Sequence, residues 1–271
     1  MSTLEAIVLG IIQGLTEFLP ISSTAHLRVV PAFVGWEDPG AAFTAVTQLG
    51  TLAAVLIYFR HDLWRIARAW LAGLRDPAAR RAPDSLMGWY ILVGTLPILF
   101  FGFFFSDQIE TGARNLTLIG FTLIGLGIVL LVADRVGTRS RDLDSLRWRD
   151  GVVIGFAQAC ALIPGVSRSG ATISAGLFLG LERAAAARYS FLLSVPAVVL
   201  SGVYQLKDIG GEGGAGVWPT AVATALAFVV GYASIAFLLR FLANHSVVVF
   251  VVYRVVLGVV VLALVWTNTI S

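Results

Sequence analysis

Six charge-poor runs, each about as long as a bilayer-crossing helix, constrain this 271-residue chain more than anything else in it. Crossing the hydrocarbon takes about 20 helical residues. The runs are 41–59, 86–105, 115–133, 189–206, 217–239 and 247–266, and only the last holds a charge, Arg254. Pro97 and Pro196 fall inside runs, which neighbouring helices tolerate by satisfying the freed carbonyls. Charged residues make up 13% of the chain, against roughly a quarter in soluble domains, and mean hydropathy is +0.87, so a water-soluble globule is excluded. A net charge of +3 is too small to argue for nucleic acid, and the single Cys160 rules out a disulfide framework or a cysteine zinc cluster. A cleavable leader is not expected, because the first apolar run has no basic segment before it and no small-residue cleavage site after it.

Four further apolar stretches are too short to cross and form two pairs, 6–19 with 24–34 and 151–163 with 170–181, each interrupted by a proline and a cluster of hydroxyls. Such lengths read as re-entrant segments. The charges agree. Segments 60–84, 134–150, 182–188 and 240–246 hold 14 of the 19 basic residues, whereas 35–40, 106–114 and 207–216 hold two, Arg114 and Lys207, among six acids. The positive-inside bias puts the first group in the cytoplasm. The alternation closes only if 151–181 enters and leaves on the cytoplasmic side and the stretch before residue 35 does so on the outer side, with both termini outside. Ala6–Gln13 (AIVLGIIQ) also resembles Gly151–Gln158 (GVVIGFAQ). The predicted fold is an all-α integral membrane protein, a single membrane domain spanning 1–271. Six transmembrane helices and two re-entrant helical hairpins, about 6–34 and 151–181, form an inverted-topology repeat with halves of about 1–133 and 134–271. Such an arrangement places a site near the midplane, where half-helix N-termini converge.

Five ionisable residues sit in apolar stretches: Glu17, His26, Arg28, Arg168 and Arg254. Each is costly in hydrocarbon and marks a functional site or a buried partner. Gln13 and Glu17 share a helix face. Past Pro20 come Ser22, Ser23 and Thr24, then His26, so a half-helix starting near Ser22 offers an anion seat at its positive end. The second break, PGVSRSGAT over 164–172, adds Gly165 and Gly170 for close backbone approach, and Ser167, Ser169, Thr172 and Arg168 as donors to phosphate oxygens. An anion cradle facing a carboxylate and an imidazole suits phosphoryl transfer. Plainer readings stand beside this one: Glu17 and Arg168 as a structural pair, and Ser22 and Ser167 as helix caps. Arg28 is expected to snorkel to the outer interface. Arg254 either pairs with Glu17 or reaches phosphate. The Thr44, Thr47, Gln48, Thr51 stripe reads as interhelical glue.

The segment QGLTEFLPISSTAH over 13–26 resembles the first signature of the undecaprenyl-diphosphate phosphatase family, and PGVSRSGATI over 164–173 resembles its second. The likeness continues through Gln48-Leu49-Gly50, 189–196 and Tyr253-Arg254, covering essentially the whole chain. It implies a bacterial plasma-membrane (inner-membrane) enzyme that removes the terminal phosphate of a C55 polyprenyl diphosphate. That activity recycles the lipid carrier of cell-wall synthesis and confers bacitracin resistance. A divalent cation, Mg²⁺ or Ca²⁺, serves as cofactor with Glu17 as metal ligand, and the site opens to the outer face. Position by position it implies Glu17, Ser23, His26 and Arg168 as catalytic residues and Ser167, Ser169 and Thr172 as a phosphate loop. Gln13, Ser22, Thr24, Gly165 and Gly170 join the substrate-binding set on their positions at the breaks, and Arg254 joins it as the one charge within a span. Gln13 stands where the family often has Glu, and Thr44 where relatives commonly carry an acid.

The expected mechanism has Arg168 and the 167–172 half-helix holding diphosphate, Glu17 orienting water or the Ser23 hydroxyl as nucleophile, and His26 as base or proton donor. The expected partners are the polyprenyl diphosphate lipid and the bilayer, with a homodimer allowed and nucleic acid excluded. The main rival is a transporter or flippase, whose architecture is similar. The broader lipid-phosphatase superfamily fits less well, lacking here its lysine-led motif and second histidine.

Overall fold

A computed structural model of the chain describes residues 1–105, 115–205 and 215–270. The described residues form eleven α-helices, a few single 3₁₀ turns and no strand. In chain order the helices are α1 Thr3–Phe18, α2 Ser23–Val34, α3 Gly40–Tyr58, α4 Arg60–Arg75, α5 Pro83–Phe104, α6 Leu116–Val136, α7 Trp148–Ala159, α8 Arg168–Phe178, α9 Arg183–Gln205, α10 Val217–Asn244 and α11 Val248–Trp266. Each of the six long apolar runs is helical. Five of them, α5, α6, α9, α10 and α11, are long and apolar enough alone to cross a membrane, and α3 qualifies together with α4, from which it is bent by 77°. The molecule is thus all-helical and multi-pass, with five to six candidate spans. The connection 106–114 and residues 206–214, which hold most of the acids expected on the outer side, lie outside the described residues.

Helix α4 departs from the sequence reading, which took 60–84 as a connection. Its apolar residues recur at helical spacing among arginines, and Ile66 and Trp70 turn inward. The Trp70 ring stands 5.5 Å from that of Trp89 on α5. Ion pairs then tie the arginine-rich segments to one another, through Arg188 and Arg183, and brace two of them internally, through Arg65 and Arg141. Arg188 reaches Asp62 at 2.5 Å, Arg65 reaches Asp84 at 2.9 Å, Arg183 reaches Asp134 at 2.5 Å and Arg141 reaches Asp150 at 2.6 Å. Segments 60–84, 134–150 and 182–188 therefore meet at the same end of the bundle.

The four short stretches are α1, α2, α7 and α8. Each pair breaks sharply, after Phe18 and after Ala159, and resumes on a serine cap. Ser22 (φ 76°, ψ 96°) and Ser167 (φ 71°, ψ 116°) adopt nearly the same left-handed conformation. Both stand nine residues beyond the glutamine ending the repeated octet, so the one-residue offset between Pro20 and Pro164 is absorbed within the break. Gly10 and Gly155 hold the same place in that octet and do the same work. A Cβ on Gly10 would lie 2.5 Å from the Ala223 carbonyl of α10, and one on Gly155 would lie 2.5 Å from the Gly94 carbonyl of α5. Helix α8 is buried from Ser169 to Leu177, so it is a core element with little lipid-facing surface.

Candidate active site

Helix α1 brings Gln13 and Glu17 to one face, both buried. Gln13 Nε2 donates to Glu17 Oε2 at 2.9 Å, and Ser23 Oγ, from the first turn of α2, donates to the same oxygen at 2.6 Å. Arg168, the first residue of α8, donates through Nη2 to Glu17 Oε1. Residues 151 positions apart are thus joined across the two breaks. The pair that both readings of these residues allow is present, with Glu17 buried and Arg168 partly so. Removing either partner would strand the other's charge, a loss of about 3–5 kcal/mol. Gln13 Oε1 is buried beside the carboxylate with no hydrogen-bond partner among the described residues.

The serine caps are also realised. Ser22 Oγ accepts from Ala25 N at 3.4 Å and Ser167 Oγ from Gly170 N at 3.1 Å. Left-handed backbone at a residue other than glycine costs about 1–3 kcal/mol, and two such residues flank the Glu17–Arg168 pair. Their conformation starts α2 and α8 at the breaks, where first-turn N–H groups lack intrahelical acceptors and the helix dipole is positive. Half-buried Thr24 follows Ser23 in that turn. Further hydroxyls lock the breaks together. Ser169 Oγ donates to the Leu19 carbonyl at 3.1 Å and lies 3.2 Å from Ser167 Oγ, while Thr172 donates to the Arg168 carbonyl at 2.8 Å and lies 2.6 Å from Ser190 Oγ. Gly165 has φ +82°, and a Cβ there would stand 2.2 Å from Thr122 Oγ1, which itself donates to the Pro164 carbonyl at 2.6 Å. A Cβ on Gly170 would crowd Arg254 Nη1 at 3.2 Å.

One ionisable residue takes another place than the sequence suggested. Arg254 does not pair with Glu17; the partners of its guanidinium are backbone carbonyls. It is fully buried, and its guanidinium donates to the carbonyls of Pro20 (3.1 Å), Gly165 (3.0 Å), Val166 (3.1 Å), Thr122 (3.3 Å) and Leu123 (3.2 Å). It braces both breaks because buried carbonyls freed by irregular backbone need donors. His26 lies beside Ser22 in the first turn of α2, as its position in the sequence suggested. Its Nδ1 bonds the Ser22 carbonyl at 2.7 Å and its Nε2 meets the Tyr253 hydroxyl at 2.6 Å. Arg28 is paired at 3.3 Å with Asp38, in the 35–40 connection toward which it was expected to reach. The threonines of α3 also differ: Thr44, Thr47 and Thr51 bond carbonyls of their own helix. Tyr253, Thr122 and Ser190 were not foreseen as site residues. Only Tyr253 carried a signal, its place beside Arg254.

No cluster of three or more His, Cys, Asp or Glu exists among the described residues, and Glu17 is the only acid within 13–26 and 159–172. What stands together at the breaks is a guanidinium with donors beyond the one on Glu17, two half-helix N-termini and a hydroxyl bonded to a carboxylate, the chemical types that anion binding and nucleophilic attack call for.

A family model described as bacitracin resistance protein BacA matches residues 6–260. The chain is 56% identical to the undecaprenyl-diphosphatase of Nocardioides sp., over 99% of its own length and 98% of that protein's. It is 54% identical to the undecaprenyl-diphosphatase of Mycolicibacterium smegmatis, over 100% and 99%, and 53% identical to that of Thermobifida fusca, over 98% and 91%.

Proposed function

The chain belongs to the bacitracin resistance protein BacA family, and from that membership we propose that it hydrolyses the terminal phosphate of undecaprenyl (C55) diphosphate. The products are undecaprenyl phosphate and inorganic phosphate, and the reaction recycles the cell-wall lipid carrier. The observation that carries the reading is Glu17 held between Ser23 and Arg168 across the two breaks. Arg168 and the first turn of α8 bind the diphosphate. Ser23 Oγ attacks the terminal phosphorus, its proton passes to Glu17 Oε2, and the bond to the bridging oxygen breaks as the lipid phosphate leaves. Water then cleaves the phosphoserine, and the proton returns to Ser23. The short Ser23–Glu17 bond favours the serine over water as first nucleophile, and Glu17 over His26 as the base beside it. A divalent cation, Mg²⁺ or Ca²⁺, fits the oxygen donors: Glu17 and the unpartnered Gln13 Oε1 would hold it, with substrate oxygens completing its shell. Bound there it would offset phosphate charge.

The same reading has six spans, two hairpins re-entering from opposite faces, halves of about 1–133 and 134–271, both termini outside and an outward-opening site in the bacterial plasma membrane. The matching serine caps, the matching glycine contacts and the ion-paired arginine segments support it. The test is phosphate release from undecaprenyl diphosphate by purified protein, with and without chelator and with Mg²⁺ or Ca²⁺ added back. Turnover is expected, and Ser23→Ala, Glu17→Gln and Arg168→Lys should each lose about 10²–10⁴-fold. A pure lipid carrier would release none, and a Glu17→Gln variant at wild-type rate would overturn the assignment.

A further inference from the structure

We propose that Tyr253 is a positioning residue that holds His26 neutral, with its proton on Nδ1 and its Nε2 as acceptor; the consequence for turnover rests on the phosphatase reading. The two rings lie nearly parallel, 7° apart with centroids at 5.5 Å, and the hydroxyl meets Nε2 at 2.6 Å. The partner of Nδ1 is a backbone carbonyl, which can only accept, so Nδ1 carries a hydrogen. A neutral ring then presents Nε2 as an acceptor, and the phenol donates to it. Protonating the imidazole would make Nε2 a donor and force the tyrosine to reverse its hydrogen bond. The tyrosine thus disfavours the charged ring and keeps a single tautomer. The charged and titratable groups facing His26 are Tyr253 and Arg254 of α11, with the Glu17–Arg168 pair of α1 and α8 at the adjoining break. Beside His26 on α2, Ala25 and Val29 pack with apolar Leu116, Ile119 and Leu123 of α6.

Tyr253→Phe keeps the ring and removes the donor. With the neutral His26 ring as proton acceptor for the water that cleaves the phosphoserine, the acid limb of the kcat profile of the purified enzyme should move up by roughly one pH unit with KM unchanged, the shift expected for one lost hydrogen bond to the neutral form. A profile superimposable on wild type, or one lowered equally at every pH, overturns the proposal, since a purely structural tyrosine would give one or the other. A second arm does not depend on turnover. In protein labelled with ¹⁵N-histidine and carrying His61→Gln and His245→Gln, the His26 nitrogens at neutral pH should report a neutral ring protonated on Nδ1, and Tyr253→Phe should reduce that population. An Nε2-protonated or charged ring in the Tyr253 protein refutes the idea, even if no phosphate is released and the phosphatase reading itself has failed.

Discussion

Arg254 spans both breaks from a single position on α11, bonding Pro20 on one side and Gly165 and Val166 on the other. Replacing it with methionine would orphan several buried carbonyls at about 1–3 kcal/mol each. Thermal unfolding of Arg254→Met in detergent should therefore fall by several degrees or more. Arg254→Lys should recover only part of the loss, because an ammonium cannot reproduce the planar fork. An Arg254→Met protein melting with wild type would remove the bracing role. At this scale Glu17 and Arg168 were legible because ionisable groups in apolar stretches are rare and costly. Tyr253 was not, because a tyrosine in a spanning helix is ordinary until the residue against it is known. Arg254 stood out in the sequence, but its carbonyl partners did not, since they lie up to 234 positions away.

Among the elements, the second break rests on Gly165, whose φ of +82° and close approach to Thr122 and Ile119 leave no room for a side chain. Gly165→Ala would push the 164–167 turn off α6 and shift Arg168 from Glu17. We expect helical content by circular dichroism to stay near wild type while phosphate release falls by at least about 10²-fold, as misplacement of reacting groups by about 1 Å can cost that much. Wild-type turnover in this variant would show that the break is not held by the contact with α6. The long apolar helices were readable from hydropathy, and the half-helices from being too short. Helix α4 was hidden because its arginines lower its hydropathy, although its 3.6-residue periodicity was present in the sequence.

For the molecule as a whole, the arginine-bearing connections gather at one end through the Arg188–Asp62 and Arg183–Asp134 pairs. Short positive segments resist translocation, so this end should face the cytoplasm. An epitope tag at the N-terminus of intact, cell-wall-stripped cells should then be reached by an impermeant reagent without lysis, and a cysteine placed at Arg80 should not. The opposite labelling pattern would invert the topology. Hydropathy, charge asymmetry and two hydroxyl-rich breaks, all read along the chain, determined by themselves that the protein is a helical membrane bundle, and which residue types stand at its centre. They are local properties, set by helix length and by the cost of charge in lipid. Only the tertiary structure decided that Arg168 meets Glu17, that His26 turns toward Tyr253 and that Arg254 serves the backbone. Those outcomes depend on which helices pack together and on which buried carbonyls are left needing a donor, and neither is written at any one position.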